Sequence, residues 1–289
     1  MAFPRCALLV LLLSSLFSSF LYAGQASCKF DSFSPPSGYT LSQVVGIDDD
    51  GSIVGQLLDN DTQALVGFMR SSSGSFTIYS APGSAITWVN GHNTGGTSVG
   101  SYLASGASAK VHGFALTGSK FTEINYPDAA NTWIFDNNNA GALVGSCGGS
   151  GVIKGFLYAT GDYTVIDESG QQATYPMALN DNNEVVGYSV NGWMNYGFLW
   201  QNGQFTAINY PHSKYGTQLS GINNDGVIVG NRISADRVFA FLYQNGTFES
   251  IVYPGADYEV AGGINNNGVI AGQVFLNATD TIGFTATCN

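Results

Sequence analysis

The sequence predicts an all-β protein, a six-bladed β-propeller with four antiparallel strands per blade, whose last blade is closed by the N-terminal strand. Three observations lead to this prediction. A short phrase recurs six times along the 289 residues, and two further markers follow most copies in a fixed order. The two ends of the chain also resemble complementary halves of one repeat. Repeats of this length, rich in turn signals and β-branched residues, are typical of propeller blades.

The recurring phrase ends in a glycine that follows β-branched residues. It reads GINNDGVIVG over 221–230, GINNNGVIAG over 263–272 and GIDDDGSIVG over 46–55. Because Asn and Gly tolerate positive φ, the phrase predicts two strands joined by a tight turn. The closing glycines are spaced 42 to 45 residues apart, and they are Gly55, Gly100, Gly145, Gly187, Gly230 and Gly272.

Two markers after the phrase predict the other two strands of each blade. The first is a Gly-Phe pair, replaced by Ala240-Phe241 in the fifth copy, and the second has the form Phe-Thr-x-Ile, as at 121–124. The sixth copy reaches the end of the sequence, Cys288-Asn289, before the second marker. The N-terminal stretch 28–33, CKFDSF, is the strand that this copy lacks, so joining the ends would close the ring and leave no exposed terminal edge. The competing architecture is an open solenoid, which would not need chain ends that supply complementary strands of one repeat.

The same alignment predicts a disulfide bond. Cys288 aligns with Asn245, and Cys28 aligns with Gly246. Asn245 and Gly246 are adjacent in the turn of the fifth copy. Residues flanking a hairpin turn are close enough for a disulfide, which would replace the missing peptide connection.

The repeats resemble a known family. The run Phe239-Ala240-Phe241-Leu242-Tyr243, with GINN and Tyr253-Pro254-Gly255-Ala256, is similar to the bacterial extracellular HAF repeat. The name-giving His-Ala-Phe triplet is absent, and 112–114, His-Gly-Phe, is one of the two nearest copies. The resemblance implies secretion and a repeat fold, and it implies no particular reaction.

Residues 1–26 are predicted to be a secretory signal peptide, and 27–289 a single propeller domain. One charge, Arg5, precedes an apolar run that is broken by serines, and the small residues Ala23, Gly24 and Ala26 suit cleavage. No membrane span is expected. The net charge is −11, and it becomes −12 once Arg5 is removed. Such an acidic chain is expected to repel nucleic acid. A secreted monomer is predicted.

The sequence contains no strong catalytic signature, and no cofactor or metal is expected. The three histidines of the mature chain, His92, His112 and His212, fall at three different positions of the repeat, which disfavours a shared metal site. The turn Asp48-Asp49-Asp50-Gly51 lacks the alternating ligands of a calcium loop, so a hairpin turn with a solvated acidic surface is expected.

Two groups of residues break the repeat near the predicted central channel. Where other copies have Ile or Leu, two neighbouring copies have His92 and Asn137, and Asp136 replaces a small residue beside Asn137. Either these groups hydrogen-bond within the blade or to channel water, or they serve a ligand. Aromatic residues are predicted to form an arc around one channel mouth, where a sugar or peptide could stack, although they could instead pack between blades. The arc comprises Trp88, Trp133, Tyr175 and Trp193.

The sequence therefore favours a secreted, non-enzymatic binding module for an extracellular glycan, peptide or envelope component. One alternative is an extracellular polysaccharide hydrolase or lyase with Asp136 and His92 as acid and base. Another is a purely structural surface protein without a ligand.

Overall fold

A computed structural model describes residues 24–106, 109–149, 151–235, 237–277 and 280–289. These residues form β-strands joined by turns, and they contain no helix. Residues 1–23 of the predicted signal peptide lie outside the described residues. In the part of the chain that the structure describes, no helix has the length and apolar character needed to cross a membrane.

The strands begin with β1 (Gly24–Gln25) and β2 (Cys28–Phe33), and the rest fall into six successive groups, which we call units 1 to 6. Unit 1 contains β3 (Tyr39–Ile47), β4 (Ile53–Asp59), β5 (Leu65–Arg70) and β6 (Phe76–Tyr79). Unit 2 contains β7 (Ser84–His92), β8 (Thr97–Ala104), β9 (Val111–Thr117) and β10 (Lys120–Ile124). Unit 3 contains β11 (Asn131–Asn137), β12 (Leu143–Gly148), β13 (Ile153–Ala159) and β14 (Asp162–Ile166).

The later units repeat this order of strands. Unit 4 contains β15 (Ala173–Leu179), β16 (Val185–Asn191), β17 (Met194–Gln201) and β18 (Gln204–Ala207). Unit 5 contains β19 (Thr217–Ile222), β20 (Ile228–Ile233), β21 (Val238–Gln244) and β22 (Thr247–Ser250). Unit 6 contains β23 (Tyr258–Ile264), β24 (Val269–Phe275) and β25 (Thr281–Cys288), with β2 as its fourth strand.

Hydrogen bonds join these strands into sheets of five, eight, eight and four strands. Each eight-stranded sheet consists of two antiparallel units linked by a single parallel pair, Leu65 with Ile86 or Ile153 with Ala173. The five-stranded sheet is unit 5 with β1 added in parallel to β22. In unit 6, β2 pairs antiparallel with β25, and β23 packs against β3 of unit 1. The two ends of the chain therefore complete one unit together.

Each closing glycine lies directly opposite the phenylalanine of the next marker. A side chain at Gly55 would overlap the carbonyl oxygen of Gln43, and its Cβ would lie 2.8 Å from the Phe68 ring. The strands can therefore approach closely only where the side chain is a hydrogen atom. All six phenylalanines are at most 1% exposed. The pairs are Gly55 with Phe68, Gly100 with Phe114, Gly145 with Phe156, Gly187 with Phe198, Gly230 with Phe241, and Gly272 with Phe284.

A ring of buried amides joins the units at the turn after each first strand. In unit 5, Asn223 Oδ1 accepts from the Val227 N–H at 2.9 Å, and Asn223 Nδ2 donates to the Asn265 carbonyl of unit 6 at 3.3 Å. The same side chain thus fixes its own turn and holds the next unit. Asn265 in turn donates to the Asp48 carbonyl at 2.8 Å, which links unit 6 to unit 1. The amides of the ring are Asn93, Asn138, Asn180, Asn223 and Asn265.

Asp48 occupies the sixth position of this ring, and the expectation of a solvated acidic turn is wrong for it. Asp48 is buried, and its Oδ1 accepts from the Ser52 N–H at 2.8 Å. A carboxylate has no N–H to give to unit 2, and here His92 supplies the contact, with Nε2 3.6 Å from Asp48 Oδ2. Burial raises the pKa of Asp48 and lowers the pKa of His92, while their mutual attraction opposes both shifts.

The predicted disulfide between Cys28 and Cys288 is confirmed. The two residues are directly opposed in the β2 and β25 register, and their Cα atoms are 4.0 Å apart. The third described cysteine, Cys147, is free and buried in β12. Burial raises the pKa of the Cys147 thiol. It is therefore poorly placed to pair with a second molecule.

The disulfide is predicted to supply much of the stability of unit 6. It closes a loop across a sequence separation of 260 residues, for which the chain-entropy model gives an upper figure of about 5 kcal/mol. In a chain beginning at residue 24, Cys28→Ser should unfold at lower urea concentration than the parent. Cys28→Ser/Cys288→Ser should lose no more than the single variant, because both remove the same bond. Thiol titration of the unreduced, denatured parent should find Cys147 alone, and three free thiols would contradict the bond.

The pairing of Asp48 with His92 predicts a specific coupling between two substitutions. His92→Ile restores the apolar residue of other units but leaves a buried carboxylate without its partner, at a cost of about 1–3 kcal/mol. Asp48→Asn/His92→Ile restores the consensus at both positions, because the introduced amide could donate to unit 2. We expect the double variant to recover the loss in urea denaturation at pH 7. Equal losses in the single and double variants would show that the two residues are not coupled.

Candidate functional site

The first strand of every unit carries a β-bulge at the same position. The register of each first strand against its neighbour shifts by one residue there. A bulge re-aims the extra side chain, and in five units that side chain lines two separate cavities. We call these six positions the bulge belt, and they are Val45, Asn90, Phe135, Met177, Ser220 and Gly262. Residues on the first strands of all six units line the larger of the two cavities.

The larger of the two cavities, here the mouth cavity, has a volume of about 310 Å³. It lies toward the beginning of the first strands. Trp88 on β7 and Trp133 on β11 both line it, as the sequence predicted for the aromatic arc. Besides the belt, its lining consists of Gln43, Gln56, Trp88, Ser101, Trp133, Tyr188, Gln218, Leu219, Asn231, Val260 and Ala261.

Tyr188 is a member of this cavity that the sequence analysis missed. It follows the closing glycine of unit 4, where five other units carry a polar residue that bonds to the next unit. Asn231, for example, accepts from the Ala261 N–H and donates to the Ala261 carbonyl, both at 2.9 Å. Tyr188 instead packs on Tyr175, with ring centroids 5.1 Å apart, and burial raises its pKa to about 12. The equivalents are Gln56, Ser101, Ser146, Asn231 and Gln273.

The amides in the mouth cavity differ in whether they are already bonded. Gln56 Nε2 donates to the Val89 carbonyl at 2.9 Å, and Asn90 Nδ2 donates to the Ile134 carbonyl at 2.7 Å. The side chains of Gln43 and Gln218 make no hydrogen bond to any other described residue, and both occupy the strand position of Trp88 in their own units. Two tryptophan rings and two open amides therefore face one space.

Two predicted arc residues lie outside the lining of this cavity. Trp193, in the turn between β16 and β17, is 89% exposed and lines neither cavity. The prediction that Trp193 belongs to the aromatic arc is therefore wrong. The turn of Trp193 lies beyond the ends of two strands and carries the side chain away from both cavities. Tyr175 stands behind Tyr188 rather than at the surface of the cavity.

The smaller cavity, here the inner cavity, has a volume of about 80 Å³ and lies where the first strands end. His92, Asp136 and Asn137 all line it. Asp136 Oδ1 accepts from the Asn137 N–H at 2.8 Å, and Asp136 Oδ2 accepts from the Leu179 N–H of unit 4 at 3.2 Å. Desolvation raises the pKa of Asp136 to about 7 despite these bonds.

Asn137 and His92 are also engaged with neighbouring strands. Asn137 Nδ2 donates to the Thr97 carbonyl of unit 2 at 3.1 Å, while its buried Oδ1 has no partner among the described residues. His92 Nδ1 lies 2.8 Å from Ser98 Oγ. His92 thus bonds within its own unit and contacts Asp48 of unit 1, whereas Asp136 and Asn137 also bond to neighbouring units. The protein holds these polar groups, but not only within the blade as one of the two sequence-based expectations had it.

Asp136 and His92 do not form an acid and base pair in this arrangement. Each has its own partners, and among the described residues no ion pair joins them. The bulge belt also separates both from the tryptophans. A polymer bound in the mouth cavity would therefore not meet these two groups there.

The other two histidines lie elsewhere, so the three do not converge. His112 Nδ1 is 3.3 Å from Glu123 Oε1 in unit 2, and His212 is exposed in a turn with φ of 59°. No group of three or more His, Cys, Asp or Glu side chains that could hold a metal ion occurs in the described part of the chain.

No protein-family model and no curated protein matches the chain. Solved structures share its fold at low identity. A mutant of AofleA from Arthrobotrys oligospora has a TM-score of 0.57 at 11% identity, over 89% of this chain and 86% of that chain. A gluconolactonase from Xanthomonas campestris has a TM-score of 0.51 at 11% identity, over 93% and 98%. The β-propeller domain of the trilobed protease from Pyrococcus furiosus has a TM-score of 0.51 at 7% identity, over 88% and 94%. The likeness concerns the fold alone: the chain is all-β, with a β-propeller domain among its structural neighbours.

Proposed function

We propose that this protein is a secreted, non-enzymatic β-propeller that binds the end of an extracellular glycan or peptide in its mouth cavity. The observation that carries the proposal is the mouth cavity itself, which Trp88 and Trp133 line together with the unbonded amides of Gln43 and Gln218. Aromatic faces supply contact area and a few polar groups fix orientation, which is the usual composition of a ligand site.

We further propose that units 1 to 6 are the blades of one six-bladed ring spanning 27–289, with the N-terminal strand closing the last blade. The packing of unit 6 on unit 1 and the disulfide between the chain ends support this ring. A disulfide also suits an oxidising compartment, which agrees with a cleaved signal peptide and secretion. Membership of the HAF-repeat family and a monomeric state remain part of the same proposal.

A hydrolase or lyase is less well supported than a binding module. Such reactions need an acid and a base on the bound sugar, and the mouth cavity is lined by no carboxylate and no histidine among the described residues. A purely structural role is also less well supported, because packing alone gives no reason to keep two half-buried tryptophans and two open amides around one cavity.

Substituting both tryptophans tests the proposed site. Trp88→Ala/Trp133→Ala should weaken binding to an immobilised glycan or peptide at least about tenfold, because it removes both stacking surfaces. Binding should be measured on glycan and peptide arrays and by titration calorimetry. Trp193→Ala is the matched control, because Trp193 is 89% exposed and lines neither cavity. Equal binding by the double variant and the parent would exclude the mouth cavity as the site.

A further inference from the structure

We infer that the mouth cavity takes the uncharged end of a neutral glycan, with pyranose rings stacked on Trp88 and Trp133 and hydroxyls bonded by Gln43 and Gln218. This inference rests on the proposed function and narrows its ligand from glycan or peptide to one chemical class. It follows from the charge, the shape and the hydrogen-bonding groups of the cavity.

The lining of the mouth cavity carries no charge. None of its seventeen residues is Asp, Glu, Lys, Arg or His. Tyr188, the one titratable residue there, has its pKa raised to about 12 by burial, so it is a neutral phenol at ordinary pH. A charged group entering this space would lose water without gaining an opposite charge. The overall charge of −11 adds repulsion against anions such as uronates and sialic acids.

The position of the cavity favours the end of a chain over its middle. It is enclosed by the first strands of several units, and the side chains of the bulge belt stand between it and the inner cavity. Its volume of about 310 Å³ lies at the lower end of the range for ligand pockets, about 300–1,000 Å³. A small molecule or the terminal part of a polymer suits such a space.

Glycan and peptide ligands differ in the charge of their terminal groups. An unmodified peptide ends in an ammonium or a carboxylate, and neither has a counter-charge in this cavity. A neutral glycan ends in a ring that has hydroxyls at its edge and C–H groups on its faces. Those two features match the open amides and the indole faces respectively.

The open amides suit vicinal hydroxyls. A glutamine side chain offers both a carbonyl acceptor and an NH₂ donor, so it can accept from one hydroxyl while donating to its neighbour. Gln43 and Gln218 are free to do so, because neither side chain hydrogen-bonds to another described residue. The Tyr188 hydroxyl adds a third group without a hydrogen-bond partner in the described residues.

The test compares probes of matched length on the full secreted chain. Neutral oligosaccharides (gluco-, manno-, xylo- and chito-oligosaccharides), acidic oligogalacturonates, and peptides with free or capped ends are titrated by calorimetry. We expect neutral probes to bind, with an affinity that changes little between low and high salt. Gln43→Leu/Gln218→Leu should weaken that binding about tenfold or more, since it removes two sets of hydrogen bonds. Gln204→Leu is the matched control, because Gln204 is exposed on β18 and lines neither cavity.

Each outcome decides between the inference and the proposed function. Binding of only charged oligosaccharides or free-ended peptides, lost in Trp88→Ala/Trp133→Ala, would overturn the inference and leave the proposed function standing. Neutral binding that needs the tryptophans but survives the double glutamine variant would overturn the assignment of the amides. An absence of tryptophan-dependent binding to every probe would overturn the proposed function as well. Unchanged thermal unfolding of the double variants confirms that each is folded.

Discussion

The contact between a closing glycine and a phenylalanine ring is the constraint on which the rest of this structure depends. Each unit places one such pair between its second and third strands, and in five of the six units a Cβ added at the glycine would lie within 3.1 Å of the phenylalanine ring. The first strand lies so close on the other side that a Cβ would also meet its carbonyl oxygen. Three strands are thereby fixed to one another at a single point in each unit. The six phenylalanines are accordingly among the most deeply buried side chains.

Polar bonds then hold the units to one another. The buried asparagine after each first strand fixes its own turn and donates to the next unit, and the residue after each closing glycine bonds across the same junction. A buried amide must find partners for both its donor and its acceptor, so these bonds also set the register between units. The exceptions are informative: Asp48 uses His92 in place of an amide, and Tyr188 makes no such bond and faces the mouth cavity instead.

The bulge belt lines both cavities, and the polar chemistry differs between the two. On the inner side, His92, Asp136 and Asn137 satisfy backbone and side-chain groups of adjacent units. On the mouth side, the side chains of Gln43 and Gln218 make no hydrogen bond to the described residues and line the same cavity as the tryptophans. Groups already committed to structure are poorly available to a ligand, since binding would first have to break their bonds. The binding chemistry therefore concentrates at the mouth.

The sequence by itself determined the repeat, the four strands of each copy, the pairing of the chain ends and the disulfide, because these depend on local turn residues and on one alignment. It also determined that Trp88 and Trp133 share a strand position. Only the tertiary structure decided which polar side chains are already bonded within the protein. The ion pair of Asp48 with His92 and the hydrogen bond from the Leu179 N–H to Asp136 both join residues of different units. The bulge belt was equally hidden, since its six positions carry six different residue types and no pattern marks them. The direction of a side chain at a bulge depends on how two strands pair. The spacing of residues along the sequence does not contain that information.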